Sequence, residues 1–291
     1  MIKGLRTKKD FETMFPLHEL DGIGDRWLTR WRSSQALRYI KYLDLLARYL
    51  IPSSKKRYLD IGCAQSTFIV KINDRFPNFS LVGTDISDNV IEWNKKQYPE
   101  NEYYQSSLPQ VDFLPNSFDV VSALEVIYYL EPILQIEAFK NIAKVLCPKG
   151  LFLLSGVLDG GKQYWDDAWI CNNISCFFNI IAVEYHYAHL YSNIERPLLS
   201  LSRRLQNIIT KKGHKNSDKY TRMSTFGNLR YSLYNYCQHN EVIKKLLSLN
   251  LKVLHWVLSW NWLPVICFQM NKLVYPEKGK SRIIILARKK D

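Results

Sequence analysis

Residues 58–66 read Y-L-D-I-G-C-A-Q-S, a hydrophobic strand that runs into a tight turn. Asp60 and Gly62 lie near the end of that strand, and a second hydrophobic strand, residues 80–84, ends in another acid, Asp85. Such a turn lets backbone N–H groups and a helix N-terminus face a ligand, and the acid after the second strand accepts hydrogen bonds from ribose hydroxyls. The combination predicts a site for a nucleotide-type cofactor.

Strand and helix patterns alternate around this turn. Strands are predicted over 57–61, 80–84, 102–105, 118–123 and 151–155, and helices over 33–50, 67–75, 88–97 and 132–146. This repetition predicts an α/β fold, a parallel sheet with helices on both faces. Near the end, a helix over 242–249 precedes strands over 251–259 and 282–288, which are expected to form a closing antiparallel hairpin. A dinucleotide dehydrogenase would usually keep alternating, so this ending argues against NAD.

Residues 156–240 interrupt the alternation and are rich in aromatic side chains. A structureless loop of that length is improbable in a compact domain, so a mostly helical insertion between the fifth strand and the last core helix is expected. It either builds the substrate pocket at the carboxyl edge of the sheet or uses its aromatics for a core of its own. The predicted parts are an N-terminal helical cap over 1–52, a Rossmann-like core over 53–155 and 241–291, and this insertion.

Composition limits the partners and the compartment. The chain has 291 residues, 47% of them apolar, and a formal net charge of +13. That charge attracts nucleic acid, an anionic membrane surface or an acidic small substrate, although a solvated basic surface explains it equally well. The scattered cysteines argue against disulfides or a zinc site, and neither a signal peptide nor a membrane-length apolar run is evident. We expect a cytoplasmic protein, with peripheral contact to the inner face of the membrane left open.

The predicted core resembles the class I S-adenosylmethionine-dependent methyltransferases. Four motifs in the family's order carry the resemblance: L-D-I-G-C-A over 59–64, G-T-D-I-S over 83–87, P-N-S-F-D-V-V over 115–121 with A-L-E-V over 123–126, and L-C-P-K-G-L over 146–151. Cys63-Ala64 and E-V-I-Y-Y-L over 125–130 are similar to the nodulation-protein-S-like sugar methyltransferases. The resemblance implies a seven-stranded, mostly parallel Rossmann-like sheet with an antiparallel last strand, and S-adenosyl-L-methionine as cofactor.

The resemblance also implies cofactor contacts, residue by residue. Asp60 would lie near the methionine amino group, Gly62 would let the backbone approach the cofactor, and Asp85 would accept both ribose hydroxyls. The other implied contacts are Cys63 and Ala64 in the turn, Ile86 on the adenine face, Ser106, Ser107 and Leu108 at the adenine edge, and Glu125 at the methionine end.

Three positions depart from the family's pattern. The family usually has glycine at the positions of Ala64 and Ser66, and commonly an acid at that of Ser107. If either turn residue needs a positive φ, its Cβ adds a strain of about 1–2 kcal/mol, enough to weaken cofactor binding without abolishing it. These departures leave open an inactive descendant that only binds a partner.

The catalytic candidates are few. Methyl transfer is an in-line displacement that depends mainly on alignment, and a hydroxyl acceptor also benefits from a base. Glu125 is the first candidate base, although it could instead only bind the substrate or the cofactor, and His186 in the insertion is the second. Predicted substrate contacts are Arg30, Arg32, Tyr128, Tyr129 and Trp165. The sequence has no cluster typical of a metal site, which disfavours metal-assisted transfer.

Three functions remain open from the sequence. The preferred one is methyl transfer to a hydroxyl or amine of a small molecule or glycan, with an acidic or phosphorylated sugar suiting the basic charge. An RNA methyltransferase is the second, although the charge is dispersed and no RNA-binding module is evident. The third is a non-catalytic methyltransferase-fold binding protein. The oligomeric state and the choice between O- and N-methylation are not predicted.

Overall fold

The computed structural model describes residues 8–14, 32–50, 55–187, 189–209, 240–274 and 280–290. Its centre is a seven-stranded sheet with the strand order β3-β2-β1-β4-β5-β7-β6. The strands are β1 (Lys56–Ile61), β2 (Phe79–Asp85), β3 (Glu102–Gln105), β4 (Phe118–Leu124), β5 (Leu146–Val157), β6 (Phe178–His186) and β7 (Arg282–Lys289).

The described helices follow in chain order. They are α1 (Lys8–Met14), α2 (Ser33–Ala47), α3 (Thr67–Arg75), α4 (Asp88–Gln97), α5 (Pro132–Val145), α6 (Asp167–Ile174), α7 (His189–Ile209), α8 (Glu241–Leu258) and α9 (Trp262–Val274). A short 3₁₀ helix spans Ile127–Tyr129.

Strands β1 to β5 are mutually parallel, and β7 runs antiparallel between β5 and β6. The central strands are buried along most of their length; β4, for example, is buried at five of its seven positions. Parallel strands need such apolar runs because helices cover both faces of the sheet. The predicted α/β class, with a mostly parallel Rossmann-like sheet and an antiparallel last strand, is confirmed.

The predicted closing hairpin is wrong. Residues 251–259, predicted as a strand, lie mostly in helix α8, and the antiparallel partner of β7 is β6. A short apolar run fits a strand and a packed helix equally well, so periodicity could not separate the two. Residues 156–240, predicted as a mostly helical insertion, therefore contribute a strand to the central sheet.

Helix α2 packs on the core through Leu45 and Leu46, as its apolar spacing suggests, but its first half also buries polar side chains. Ile40 is 49% exposed, whereas Gln35, Arg38, Tyr39 and Tyr42 are buried. Gln35 and Arg38 line a cavity at the edge of the sheet, which favours polar side chains at these two positions.

Helices α8 and α9 pack on α7. Leu254 and Leu258 contact Leu199, and the His255 ring shares a 2.9 Å hydrogen bond with the Ser202 hydroxyl. Among the described helices, none is both long and apolar enough to cross a membrane alone. The bent pair formed by residues 245–258 and 262–274, which meet at 47°, passes the same length and composition test together.

Candidate active site

A cavity of about 560 Å³ opens at the carboxyl edge of β1, β2 and β4, with α2 along one side. Its volume lies in the range typical of cofactor and small-molecule sites. All the residues for which the sequence implied cofactor contacts line it: Asp60, Gly62, Cys63, Ala64, Asp85, Ile86, Ser106, Ser107, Leu108 and Glu125. The strand order explains the convergence, since β1 lies between β2 and β4 and the chain leaves all three at one edge. Their individual cofactor contacts stay predictions.

The turn after β1 is built for close approach to a ligand. The backbone N–H groups of Gly62 and Cys63 both donate to the Thr84 carbonyl, at 2.8 and 2.9 Å, which ties the turn to β2. Gly62 has a φ of +74°, and a Cβ there would lie 2.8 Å from a Val126 methyl group. This position therefore requires glycine for both conformational and steric reasons.

Ala64 and Ser66 adopt the left-handed conformation that the family's glycines would favour. Their φ angles are 44° and 56°, so both residues carry a Cβ where it is disfavoured. Glu125, across the cavity, also has a positive φ of 61°. Backbone strain of this kind concentrates at functional sites, where the surrounding structure holds it in place.

Glycine at position 64 should therefore stabilise the fold. Relief of about 1–2 kcal/mol of strain, less the entropic cost of glycine, leaves a net gain of about 0.5–1 kcal/mol for Ala64→Gly. Chemical denaturation measures this gain. Cofactor affinity should stay within about twofold, because the turn already has this conformation without a ligand. Ala143→Gly in helix α5 is the matched control and should lose about 1 kcal/mol. Destabilisation by Ala64→Gly would show that the turn is unstrained.

The Asp85 carboxylate is positioned by the backbone around it. Its Oδ2 accepts a 3.0 Å hydrogen bond from the Ala64 N–H, and its Oδ1 accepts one of 3.0 Å from the Ser87 N–H. Burial raises the pKa of Asp85, while hydrogen bonds from the Ser87 and Ala64 amides oppose that shift. Each oxygen can accept a further hydrogen bond, so this carboxylate at the cavity wall fits a ribose diol.

Asp60 is buried at the end of β1 and hydrogen bonded to one neighbour. The Ser122 hydroxyl donates to its Oδ1, and the Tyr58 and Ser122 hydroxyls share a 2.6 Å hydrogen bond. Burial, together with the nearby charge of Asp85, raises the pKa of Asp60 to about 7 despite the opposing Ser122 hydrogen bond. Ionising this buried carboxyl group without a counter-charge is costly. A cationic ligand, such as the ammonium group of a bound amino acid, would stabilise its charged form.

This raised pKa predicts pH-dependent cofactor binding. A cationic ligand binds the ionised form of Asp60, so binding should release a proton below a pH of about 7. Affinity for S-adenosylmethionine should rise about tenfold from pH ~6 to pH ~8 and level off above that. Calorimetry in buffers of different ionisation enthalpy measures both effects. Asp60→Asn should remove the dependence, and a flat profile in the wild type would contradict the assignment.

Glu125 is the centre of a buried ion-pair cluster. Arg38 Nη1 lies 3.0 Å from its Oε1, Arg282 Nε donates to its Oε2 at 3.2 Å, and the Ser155 hydroxyl donates to Oε1 at 3.0 Å. Burial alone would raise the pKa of Glu125, but the charges of Arg282 and Arg38 and the Ser155 hydrogen bond outweigh it and lower the pKa.

These surroundings argue against Glu125 as the catalytic base. Its carboxylate is stabilised in the ionised form and both its oxygens already face donors, so it is a weak proton acceptor. Its base role stays a prediction. The geometry favours a role that the sequence did not suggest, which is to organise Arg38 and Arg282 around the ligand.

A second buried pair borders the cavity. Arg32 Nε donates to Glu195 Oε1 at 2.8 Å, and the Ser34 hydroxyl donates to the same oxygen. Arg32 lines the cavity, as its predicted substrate role requires, while Glu195 reaches it from helix α7. The pairing links the start of α2 to the segment that follows β6.

The other predicted substrate residues divide into two groups. Tyr128 and Tyr129 line the cavity, whereas Trp165 does not. Trp165 is buried against Gly156 and its Nε1 donates to Gln135, so it belongs to the core. Arg30 lies outside the described residues.

His186 does not line the cavity. It is buried at the end of β6, with its ring centroid 4.3 Å from that of Phe268. Burial, with the charges of Arg38 and Arg282, lowers the pKa of His186 well below its ordinary value. Such a neutral imidazole is a poor proton acceptor, so its placement does not support the predicted catalytic role.

Sequence reasoning missed the cations that dominate one end of the cavity, Arg38 and Arg282. Arg38 stands between Leu37 and Tyr39 in an amphipathic helix. A charged residue between two apolar ones was the signal that could have identified it as a site residue. Arg282 begins the last predicted strand, and only the antiparallel pairing of that strand brings it to the carboxyl edge of its neighbours. Among the described residues no group of three or more His, Cys, Asp or Glu could hold a metal ion.

A Rossmann-like sheet with an antiparallel β7 and with acids at the ends of its first two strands is the arrangement typical of S-adenosylmethionine-dependent methyltransferases. The chain belongs to the family described as "Methyltransferase domain", which matches residues 30–184. S-Adenosylmethionine is its cofactor, and the family acts on small-molecule acceptors.

Curated relatives differ in their reactions. Nodulation protein S of Sinorhizobium fredii is 23% identical over 176 residues, which cover 58% of this chain and 81% of that protein. A sterol 24-C-methyltransferase of Candida albicans is 30% identical over 132 residues, 43% of this chain and 34% of the relative. A carboxy-S-adenosyl-L-methionine synthase of Campylobacter jejuni is 27% identical over 135 residues, which cover 45% of this chain and 54% of the relative. The matches cover most of the first relative, but only about a third and a half of the other two.

Solved structures share the fold across most of this chain. A putative sarcosine dimethylglycine methyltransferase from Galdieria sulphuraria aligns with a TM-score of 0.53 at 13% identity, covering 88% of this chain and 87% of the other. Phosphoethanolamine N-methyltransferase 2 of Haemonchus contortus, in complex with S-adenosylmethionine, aligns with a TM-score of 0.52 at 17% identity. The alignment covers 99% of this chain and 61% of the other. At these identities the likeness shows the fold alone.

Proposed function

We propose that this enzyme methylates a hydroxyl or amine of a small anionic acceptor, in particular an acidic or phosphorylated sugar. The observation that carries the proposal is the surplus of positive charge at one end of the cavity. Arg32, Arg38 and Arg282 line that end, and the carboxylates paired with them are those of Glu125 and Glu195. Among the described residues, three guanidinium groups against two carboxylates leave one positive charge at this end for a ligand.

The cavity is charged differently at its two ends. Asp60 and Asp85 lie where the resemblance implies the cofactor, and each carboxylate is held by neighbouring donors. S-Adenosylmethionine, when bound, supplies a methyl group on a positively charged sulfur. The acids would hold the cofactor's ribose and ammonium groups, and the arginine end, around Glu125, would face both the methionine end of the cofactor and the acceptor.

Arg38 is the strongest support for an anionic acceptor. Its side chain is only 6% exposed, and it shares the Glu125 carboxylate with Arg282. Although Nη1 is in ionic contact with that carboxylate, no described group accepts a well-aligned hydrogen bond from this nitrogen. A buried cation with incomplete hydrogen bonding is costly, and a phosphate or carboxylate oxygen would complete it.

Aromatic side chains form much of the remaining wall. Those lining the cavity are Phe11, Tyr39, Tyr42, Phe68, Tyr128 and Tyr129. Flat apolar surfaces suit an adenine ring on one side and a ring-shaped acceptor on the other. Because Glu125 is held ionised and burial raises the pKa of Tyr128 well above its ordinary value, we expect catalysis to rest mainly on alignment.

Matched acceptors test this proposal. Production of S-adenosylhomocysteine is measured with neutral hexoses, the corresponding uronic acids and the hexose phosphates. We expect kcat/KM at least about tenfold higher for the anionic members, which corresponds to about 1.4 kcal/mol of differential binding. Equal turnover of neutral and anionic sugars, or activity only on RNA, would overturn the proposal.

Arg282→Gln should abolish the preference for anionic acceptors, mainly by raising KM about tenfold or more. Arg282→Lys keeps the charge and should retain part of the preference. Arg288→Gln is the matched control, since Arg288 lies on the same strand with an exposed side chain. A preference unchanged in Arg282→Gln would show that the acceptor's anionic group binds elsewhere.

A further inference from the structure

Helix α8 turns an apolar face to the solvent. Its exposed apolar residues follow one another at intervals of three or four positions: Val242, Leu246, Leu249, Val253 and Trp256, each more than half exposed. This spacing places them on one side of the helix. Helix α9 continues the surface with Trp262, Ile266, Met270 and Leu273, of which Leu273 is 82% exposed.

The opposite side of α8 is the one packed in the protein. Leu254 and Leu258 are buried against helix α7, and His255 contacts Ser202. The outward residues of α8 and α9, here called the apolar face, are therefore not the core of this unit. A continuous exposed apolar surface of this extent marks an interaction site.

The charge along the apolar face is mainly positive. From residue 242 to residue 274 the sequence contains no Asp or Glu, and its charged residues are Lys244, Lys245, Lys252 and Lys272; the one acid of α8 is its first residue, Glu241. Lys245, Lys252 and Lys272 are exposed. Apolar side chains flanked mainly by cations suit an anionic lipid surface, which attracts nearby basic residues by about 1 kcal/mol each.

Tryptophans gather where the two helices meet. The ring centroids of Trp256 and Trp260 lie 4.8 Å apart, and those of Trp260 and Trp262 lie 5.5 Å apart in a stacked arrangement. Trp256 and Trp262 are 61% and 55% exposed. Exposed tryptophan is typical of segments at the membrane–water boundary, where one edge of the ring is apolar and the other is polar.

We propose that the apolar face binds the surface of an anionic lipid bilayer, with α8 and α9 lying in the interfacial plane. The packing of α8 on α7 and the 47° bend between the helices favour this orientation over a membrane-crossing one. The inner side of α9 lies behind the arginine end of the cavity, because Phe268 contacts His186, which is paired in register with Arg282. The proposal concerns membrane binding and holds whichever acceptor is methylated.

Vesicle co-sedimentation of the full chain tests the proposal. We expect binding to phosphatidylcholine vesicles that contain phosphatidylglycerol, and at least about tenfold weaker binding to phosphatidylcholine alone or at high salt. The double variant Leu249→Glu/Val253→Glu should lose at least about tenfold in partitioning, because it places carboxylates in the apolar face. Glutamate is a good helix former, so both positions should stay helical.

The matched control is Leu114→Glu/Ile133→Glu, which adds the same charge at exposed apolar positions outside α8 and α9. It should bind vesicles almost as the wild type does. Both double variants should retain S-adenosylmethionine binding, which shows that the core is folded. Absence of vesicle binding by the wild type, equal losses in the two variants, or a stable dimer that the α8 variant dissociates would each overturn the proposal.

Discussion

Alanine in place of Asp85 is expected to weaken binding of S-adenosylmethionine at least about tenfold. The wild-type carboxylate would make two charge-assisted hydrogen bonds to the ribose, each contributing roughly 1.5–3 kcal/mol before competition from water. The variant also removes the acceptor of the Ala64 and Ser87 N–H groups, so the turn after β1 loses part of its support. Calorimetric titration with S-adenosylmethionine and S-adenosylhomocysteine measures the effect.

Two variants sharpen this test. Asp85→Asn keeps the size of the side chain and one carbonyl acceptor, and we expect it to bind more tightly than Asp85→Ala. Asp74→Ala removes an exposed carboxylate at the end of α3 and should leave the affinity unchanged. An unaltered affinity in folded Asp85→Ala would mean that the ribose binds elsewhere.

Glutamine in place of Glu125 is expected to lower the free energy of unfolding by about 3–5 kcal/mol, because it leaves the buried Arg38 and the half-buried Arg282 without a counter-charge. For a chain of this size that corresponds to a fall in Tm of roughly 6–20 °C. Glu184→Gln is the matched control. Its carboxylate pairs with Arg48 on the surface, where the guanidinium side chain is 59% exposed, so the loss should stay under about 1 kcal/mol.

The pH dependence separates this structural role from a base role. Since the pKa of Glu125 is lowered in the folded protein, its stabilising contribution is complete above the ordinary glutamate pKa of about 4.3. It is lost as the pH falls further, through the lowered folded value. The wild type and Glu125→Gln should therefore converge in stability in acid. A catalytic base would instead leave stability unchanged and remove an ionisation near neutral pH from the kcat profile, and that result would contradict our assignment.

The cofactor half of the site was predictable because it is local. Asp60 lies near the end of one strand, Gly62 follows it and Asp85 ends the next, and parallel neighbouring strands bring their carboxyl ends to one edge. Only the backbone geometry could show that Ala64 and Ser66 both adopt a positive φ, since their side chains do not dictate it.

Patterns along the chain were enough to predict the fold class and the cofactor, and to place the expected cofactor site at one edge of the sheet. These follow from short patterns whose parts lie within one strand–turn–helix unit. The ion-pair cluster on the other side of the cavity could be seen only in the tertiary structure. Its members Arg38, Glu125 and Arg282 come from a helix, from the residue after a parallel strand and from an antiparallel strand, which are far apart in the chain. The tertiary structure also decided that β6 pairs with β7 and that residues 251–258 are helical. The sequence of a short apolar run does not determine whether it forms a strand or a helix, nor which element it packs against; the surrounding packing does.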